Sequence, residues 1–224
     1  MKITYFGHAF FLLEGDHGPK IAIDPYDPSI GYPVPSITAD YVLASHEHFD
    51  HAHLAAVGGG PKALVGAALR GRHELGAAVV QGFPSRHYDD PSGAARGENT
   101  VMVVELDGLR VCHLGDLGHV LDKSTADQLG QLDILMVPVG GFYTLDVAKV
   151  DPLVELLAPR VVIPMHYRTA AVTSPGILKI AAVDEFLRGK TNVVRKPSTI
   201  AVGPSDLPTQ REIWVMAYAS QEQG

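Results

Sequence analysis

The run Ser45-His46-Glu47-His48-Phe49-Asp50-His51 sets three imidazoles and the Asp50 carboxylate within six residues, directly after the apolar stretch Tyr41-Val42-Leu43-Ala44. An interior polar group without a partner costs about 2–7 kcal/mol. The chain must therefore fold so that the end of this apolar stretch opens into a cleft where a partner waits. A metal ion suits the donors, because imidazole nitrogen and carboxylate oxygen are ligands that zinc accepts. On an extended segment, residues two apart point the same way, so His46 and His48 can grip one ion. Asp50 and His51 follow after the chain has turned and can face a second ion beside it. Pairs of ions about 3.5–4 Å apart are a recurring hydrolytic device. The run is not the zincin motif His-Glu-x-x-His, since Asp50 stands where the second histidine would be. The competing reading is a histidine-rich solvated loop.

More candidate ligands follow other apolar runs. Asp24 follows Ile21-Ala22-Ile23, His87 follows Phe83-Pro84-Ser85-Arg86, Asp116 follows Val111-Cys112-His113-Leu114-Gly115, and His166 follows Val161-Val162-Ile163-Pro164-Met165. Any one of them alone could be a cap or turn residue. Their recurrence points to strand ends that project into one cleft.

The bulk properties narrow the class. The chain has 224 residues, 46% hydrophobic and 19% charged, enough for one domain with a substantial core. A formal net charge of -7 with no long basic run argues against nonspecific nucleic-acid binding. No apolar stretch is long enough to span a membrane, and the N-terminal residues lack a signal-peptide pattern. Cys112 is the only cysteine, so no internal disulfide can form and a cytoplasmic setting is expected. Its place in an apolar strand predicts a buried, inert thiol.

The patterning predicts strands over residues 2–6, 10–14 and 20–23, with hairpin chemistry at residues 15–19. A proline-rich loop at residues 25–37 precedes the histidine run. A short helix is predicted from His53 to Val57, stopped by Gly58-Gly59-Gly60-Pro61. Residues 88–98 read as a polar loop. Strands at 100–106 and 109–113 are joined by an Asp107-Gly108 turn. Helices are predicted near 124–129, 146–157 and 177–187, with strands at 134–137, 161–163 and 213–217 between and after them. Thr144 reads as the N-cap of the second of these helices. Early hairpins followed by strand–helix alternation suggest an α/β sandwich of two facing sheets with helices outside. Composition alone also fits a doubly wound single sheet. No internal repeat, linker or domain boundary is visible, so a single domain over residues 1–224 is expected.

Taken together, Asp24, His46-x-His48-x-Asp50-His51, His87, Gly115-Asp116 and His166 closely resemble the metallo-β-lactamase superfamily. The resemblance runs from residue 1 to at least 195. It is nearest to small stand-alone hydrolases of the ascorbate-6-phosphate lactonase-like kind, on Gly7-His8, Ile23-Asp24-Pro25, His113-Leu114-Gly115-Asp116, Pro138-Val139-Gly140-Gly141 and Ile163-Pro164-Met165-His166-Tyr167. It implies a four-layer αββα sandwich and a metal-dependent hydrolase. By the same resemblance, His46, His48 and His87 hold one ion and Asp50, His51 and His166 the other. Asp116 bridges them, and Asp24 supports the cluster by hydrogen bonds. His87 lacks the Gly-His-Thr context of glyoxalase-like members, which leaves His73 and His113 as alternatives.

The implied cofactor is two divalent ions, zinc first, with Mn²⁺ or Fe²⁺ as alternatives. A bridging hydroxide would cleave a small ester, lactone or phosphoester, and Asp50 would also take the proton of the attacking water. His8, His119 and Tyr143 are the further catalytic candidates: His8 and His119 by their place beside the cleft, Tyr143 as a hydrogen-bond donor to substrate. Arg96 and Arg168 are candidates for an anionic group. His113 is expected to support the cluster, while His53 and His17 read as bland. The expected partner is a small-molecule substrate, without nucleic acid or membrane, and a homo-oligomer is compatible with the chain. Two other classes stay open: a mononuclear iron thiol or sulfur oxygenase on the same fold, and a non-catalytic metal-binding protein.

Overall fold

The computed structural model describes residues 1–87 and 97–219. In chain order its strands are Lys2–Gly7 (β1), Phe10–Glu14 (β2), Lys20–Ile23 (β3), Ile37–Thr38 (β4), Tyr41–Ala44 (β5), Val57–Gly58 (β6), Lys62–Val65 (β7) and Gly71–Leu75 (β8). Ala78–Arg86 (β9), Glu98–Leu106 (β10), Leu109–His113 (β11), Ile134–Pro138 (β12), Val161–Met165 (β13), Val193–Lys196 (β14), Thr199–Ala201 (β15) and Glu212–Met216 (β16) follow. The α-helices are Lys123–Leu129 (α1), Val147–Leu157 (α2) and Val183–Leu187 (α3).

Among the described residues, one sheet has six strands in the order β15-β1-β2-β3-β5-β7, and a second has eight in the order β14-β16-β13-β12-β11-β10-β9-β8. Both are mixed. β1 to β3 form an antiparallel meander, and β5 and β7 then add in parallel. β8 to β11 are antiparallel, and β12, β13, β16 and β14 continue in parallel. The β10–β11 turn carries positive φ at both Asp107 (51°) and Gly108 (76°), the geometry a tight two-residue hairpin favours.

The period of two along each strand builds the layers. Ile3, Tyr5, Phe11, Leu13, Ile21 and Ile23 face Ile134, Met136, Val161, Ile163, Trp214 and Met216 in a core between the sheets. The alternate residues Leu135, Val137, Val162, Ile213 and Val215 point the other way, under the helices. Ala126, Leu129, Leu153 and Phe186 cover them, so all three helices lie on the eight-stranded sheet. Phe10, Leu12 and Ala22 form the outer face of the six-stranded sheet. That face is covered by Tyr26, Ile30, Tyr32, Val172 and Ile177, which come from loops and 3₁₀ turns instead of an α-helix. Burial on both faces explains why the strands read as near-continuous apolar runs. The single cysteine, Cys112, lies in this interior, and burial pushes its thiol up. No helix among the described residues is long and apolar enough to cross a membrane.

Three local expectations are corrected. Residues 54–56 form only a 3₁₀ turn, and Val57–Gly58 leaves it to pair with β4. The helix expected over 177–187 is split into a 3₁₀ turn, Ile177–Lys179, and α3. Between them, the Ala181 N–H donates to the Gly140 carbonyl, and the Ala181 carbonyl accepts from the Arg168 N–H. Two long-range ties of this kind hold the backbone extended where periodicity suggested a helix. Finally, Asp146 and not Thr144 caps α2, its carboxylate accepting the Ala148 N–H at 2.9 Å. An ionised acceptor at that position also suits the positive end of the helix dipole.

Candidate metal centre

The candidate ligands come from matching strand ends. Within each sheet, β1, β3 and β5, or β9, β11 and β13, run in the same direction. The residues just past them are His8, Asp24 and His46 to His51 in one sheet, and His87, Asp116 and His166 in the other. The centre therefore straddles the two sheets at one end of the sandwich.

Two groups of donors converge. His46, His48 and His87 form one; His8, Asp50, His51 and His166 form the other, and within each the donor atoms lie within 4.8 Å of one another. Asp116 stands between them. Its Oδ2 is 3.0 Å from His87 Nε2, while its Oδ1 is 3.2 Å from His51 Nε2 and 3.3 Å from His166 Nε2. Asp116 also groups with His46 and His51. Among the described residues, every expected ligand is thus brought to one place. His87, and neither of the alternatives, lies in this cluster. His73 points its Nε2 at the Leu69 and Arg70 carbonyls, and His113 spends both ring nitrogens on the Ala9 carbonyl and the Gly115 N–H.

A buried relay orients the rings. Asp24 accepts the Ser45 N–H on Oδ1, and the Ser45 hydroxyl and His51 Nδ1–H on Oδ2, all within 2.8 Å. With its proton given to Asp24, Ser45 Oγ accepts from His46 Nδ1 at 2.9 Å. In their neutral forms both rings then carry the proton on Nδ1 and turn a bare Nε2 to the cluster, the form a metal requires. On the other side, the buried amide of Asn99 donates to Ser85 Oγ and the Leu114 carbonyl, and its oxygen accepts the Asp116 N–H at 3.0 Å. Sequence reading assigned no role to Ser45 or Asn99. An amide opening the otherwise apolar strand at residues 100–104 was the available signal.

Backbone strain concentrates here. His8 (φ 54°), Asp24 (φ 50°) and His166 (φ 51°) are left-handed, a region non-glycine residues rarely occupy. His166 N–H donates to the His8 carbonyl at 2.7 Å, and the Tyr5 hydroxyl donates to the same oxygen at 3.0 Å. Those bonds hold the two strained residues together, with their rings 4.1 Å apart. His8 Nε2 reaches Asp50 Oδ2 at 3.2 Å.

The electrostatics follow from burial and crowding. Burial, then His51, lowers His46 to about 3; burial, then His166, lowers His8 to about 4. Burial and His87 also lower His48. His51 moves the other way: burial would lower it, but Asp116, Asp50 and Asp24 raise it well above the usual imidazole value. His87 is raised because Asp116 outweighs burial. For Asp116, burial pushes upward, but His166, His51 and His87 hold the carboxyl well below its ordinary range. Burial likewise pushes Asp50 and Asp24 upward; His51 with His8 holds Asp50 down, and His113 with His51 holds Asp24 down. Buried His51 Nε2 and Asp116 Oδ1 have no hydrogen-bond partner. A ring nitrogen and a carboxylate oxygen left facing each other in this way fit a cation between them, which would replace any proton on His51.

A cleft of about 280 Å³ opens on this cluster, lined by Asp50, His87, Asp116 and His166 and walled by Phe49, Tyr143 and Ile177. Tyr143 lines this cleft, its hydroxyl donating to the Gly176 carbonyl at 2.7 Å. His119 is not brought to the cluster: its Nε2 accepts the Arg86 N–H and its Nδ1 faces the Val120 carbonyl. Arg168 donates to the Leu178 carbonyl and lines a different cleft. His53 pairs with Asp27 at 3.3 Å on the surface. Arg96 lies outside the described residues.

A straddling His/Asp cluster at the strand ends of a two-sheet sandwich defines the class, a metal-dependent hydrolase of metallo-β-lactamase fold. The β-lactamase superfamily domain matches residues 2–166. A metal-dependent hydrolase of the UPF0173 group from Archaeoglobus fulgidus is 32% identical over 196 residues, 75% of this chain and 84% of that protein. A crystal structure from Thermotoga maritima, assigned as a Zn-dependent hydrolase of the metallo-β-lactamase superfamily, superposes with a TM-score of 0.77 at 34% identity, covering 96% of this chain and 97% of its own. Igni18, a metallo hydrolase from Ignicoccus hospitalis, follows at TM-score 0.61 and 28% identity, covering 83% and 88%. The chain belongs to the β-lactamase superfamily, within its UPF0173 group of metal-dependent hydrolases.

Proposed function

We propose that the centre holds two divalent ions, zinc the expected pair, and hydrolyses a small ester, lactone or phosphoester. The observation that carries this reading is the division of Asp116, one oxygen towards His87 and the other towards His51 and His166. His46, His48 and His87 would hold one ion, and Asp50, His51 and His166 the other, with Asp116 shared. When bound, the ions would lower the pKa of a shared water towards about 7 and polarise the substrate's reacting oxygen.

The chain's own residues do the rest. His8, kept neutral by burial, donates Nε2–H to Asp50 Oδ2 and fixes the carboxylate's angle. Asp50 is then placed to accept a proton from the attacking water. Tyr143, lining the cleft, directs a hydroxyl that can exchange the Gly176 carbonyl for a substrate oxygen. His119 is withdrawn from the catalytic set.

Elemental analysis of protein purified without chelator or histidine tag tests the reading. About two zinc or manganese ions per chain is the expected result. About one iron per chain, or full hydrolytic activity in Asp116→Ala, would overturn it.

A further inference from the structure

We infer that the part of the substrate projecting from the reacting bond is uncharged and apolar, an alkyl or aryl group. This rests on the metal-centre reading above and narrows its substrate class to esters, lactones or phosphoesters whose projecting group is such a tail. Beside Asp50, Asp116 and the imidazoles, the cleft is lined by Phe49, Tyr143 and Ile177, with Ser174 and Gly176. Phe49 sits within the ligand run itself, with its side chain 54% exposed. Large apolar side chains gathered along one cleft mark a binding surface better than the same residues scattered singly.

Among the described residues, the cations on the neighbouring loops are directed elsewhere. No Lys or Arg lines this cleft among the described residues. Arg168 is held by the Leu178 carbonyl, and Lys179 lies 5.2 Å from the centroid of the Phe142 ring. Both line a separate cleft of about 930 Å³ together with Lys149. A phosphorylated sugar would therefore set its second charge against Phe49 and Ile177, where no cation among the described residues lines the wall to meet it. That arrangement disfavours the ascorbate-6-phosphate type of substrate. Each methylene buried on the apolar wall tightens binding by up to about fourfold.

Hydroxamates with a common metal-binding head and different tails test this on the zinc-loaded protein, with dissociation constants from calorimetry. Acetohydroxamate is the reference, hexanohydroxamate and phenylacetohydroxamate carry apolar tails, and succinic monohydroxamate carries a carboxylate. We expect the apolar tails to bind at least tenfold tighter than the acid tail. Phe49→Lys should erase or reverse that ratio; Phe49 is exposed, so the fold should tolerate the change. Equal or tighter binding of the acid tail, or an unchanged ratio in Phe49→Lys, would overturn the inference while leaving the metal centre standing. Failure of every hydroxamate to bind would overturn the metal-centre reading and, with it, this cleft as the substrate site.

Discussion

Asp24 never touches the cleft, yet it organises half of it. Three donors end on its two oxygens, from the Ser45 backbone, the Ser45 hydroxyl and the His51 ring. Asp24→Asn keeps the volume but sets an NH₂ against groups that need an acceptor. We expect metal affinity to fall by about 10–100-fold, read by competition with a chromogenic chelator. Unchanged affinity would mean that the His46 and His51 rings are held by packing alone. The imidazoles also divide by charge. His46, lowered to about 3, and His8, lowered to about 4, are neutral at pH 7. His51 and His87 are raised, so each holds its proton to higher pH than a free imidazole. A raised pKa means that protons compete more strongly as pH falls, so metal affinity should weaken downward through the His51 and His87 titrations. At neutral pH, metal uptake should release protons. Calorimetry in buffers of different ionisation enthalpy measures that number, and a value of zero would refute the assignment.

At the scale of elements, strand ends must approach closely for the donors to meet. Gly140, just past β12, lies against the backbone of His166: a Cβ there would sit 2.2 Å from the His166 carbonyl oxygen and 2.9 Å from Ile180 Cβ. Gly140→Ala should push β12 and β13 apart at the cluster, costing about 1–3 kcal/mol by overpacking. Thermal melts of metal-free protein should show it, with metal content falling in parallel. A wild-type melting temperature would mean that the loop yields cheaply. Most of the longer strands were legible in sequence, since short apolar runs and the Asp107-Gly108 turn are local signals. The choice of His87 over His73 and His113 was not. It depends on which strands neighbour β10, and pairing between distant segments leaves no local trace. The broken helix at 177–187 fails for the same reason, because its ties run to Gly140 and Arg168. The centre was nearly complete in sequence because each candidate ligand ends an apolar run. Asn99 escaped notice because it begins one.

For the molecule as a whole, the centre joins the ends of the two sheets and, loaded as proposed above, would act as a clasp between them. Ions held there would bind the folded chain and not the unfolded one, adding about 2.7 kcal/mol per site at a free concentration 100 times the dissociation constant. For a chain of 224 residues, that is a rise of roughly 5–11 °C in melting temperature. Chelation should remove it and zinc should restore it; a melting temperature indifferent to chelator would show that the sheets do not depend on the clasp. The order of the donors along the chain matters as well. His8 is the earliest and His166 the last, with 158 residues (166 − 8) separating them. A ribosome must therefore release almost three quarters of the polypeptide before both donor groups can close. Until then the imidazoles of residues 46–51 are only part of a donor set, and the site that the proposed ions require exists only once His166 has been added.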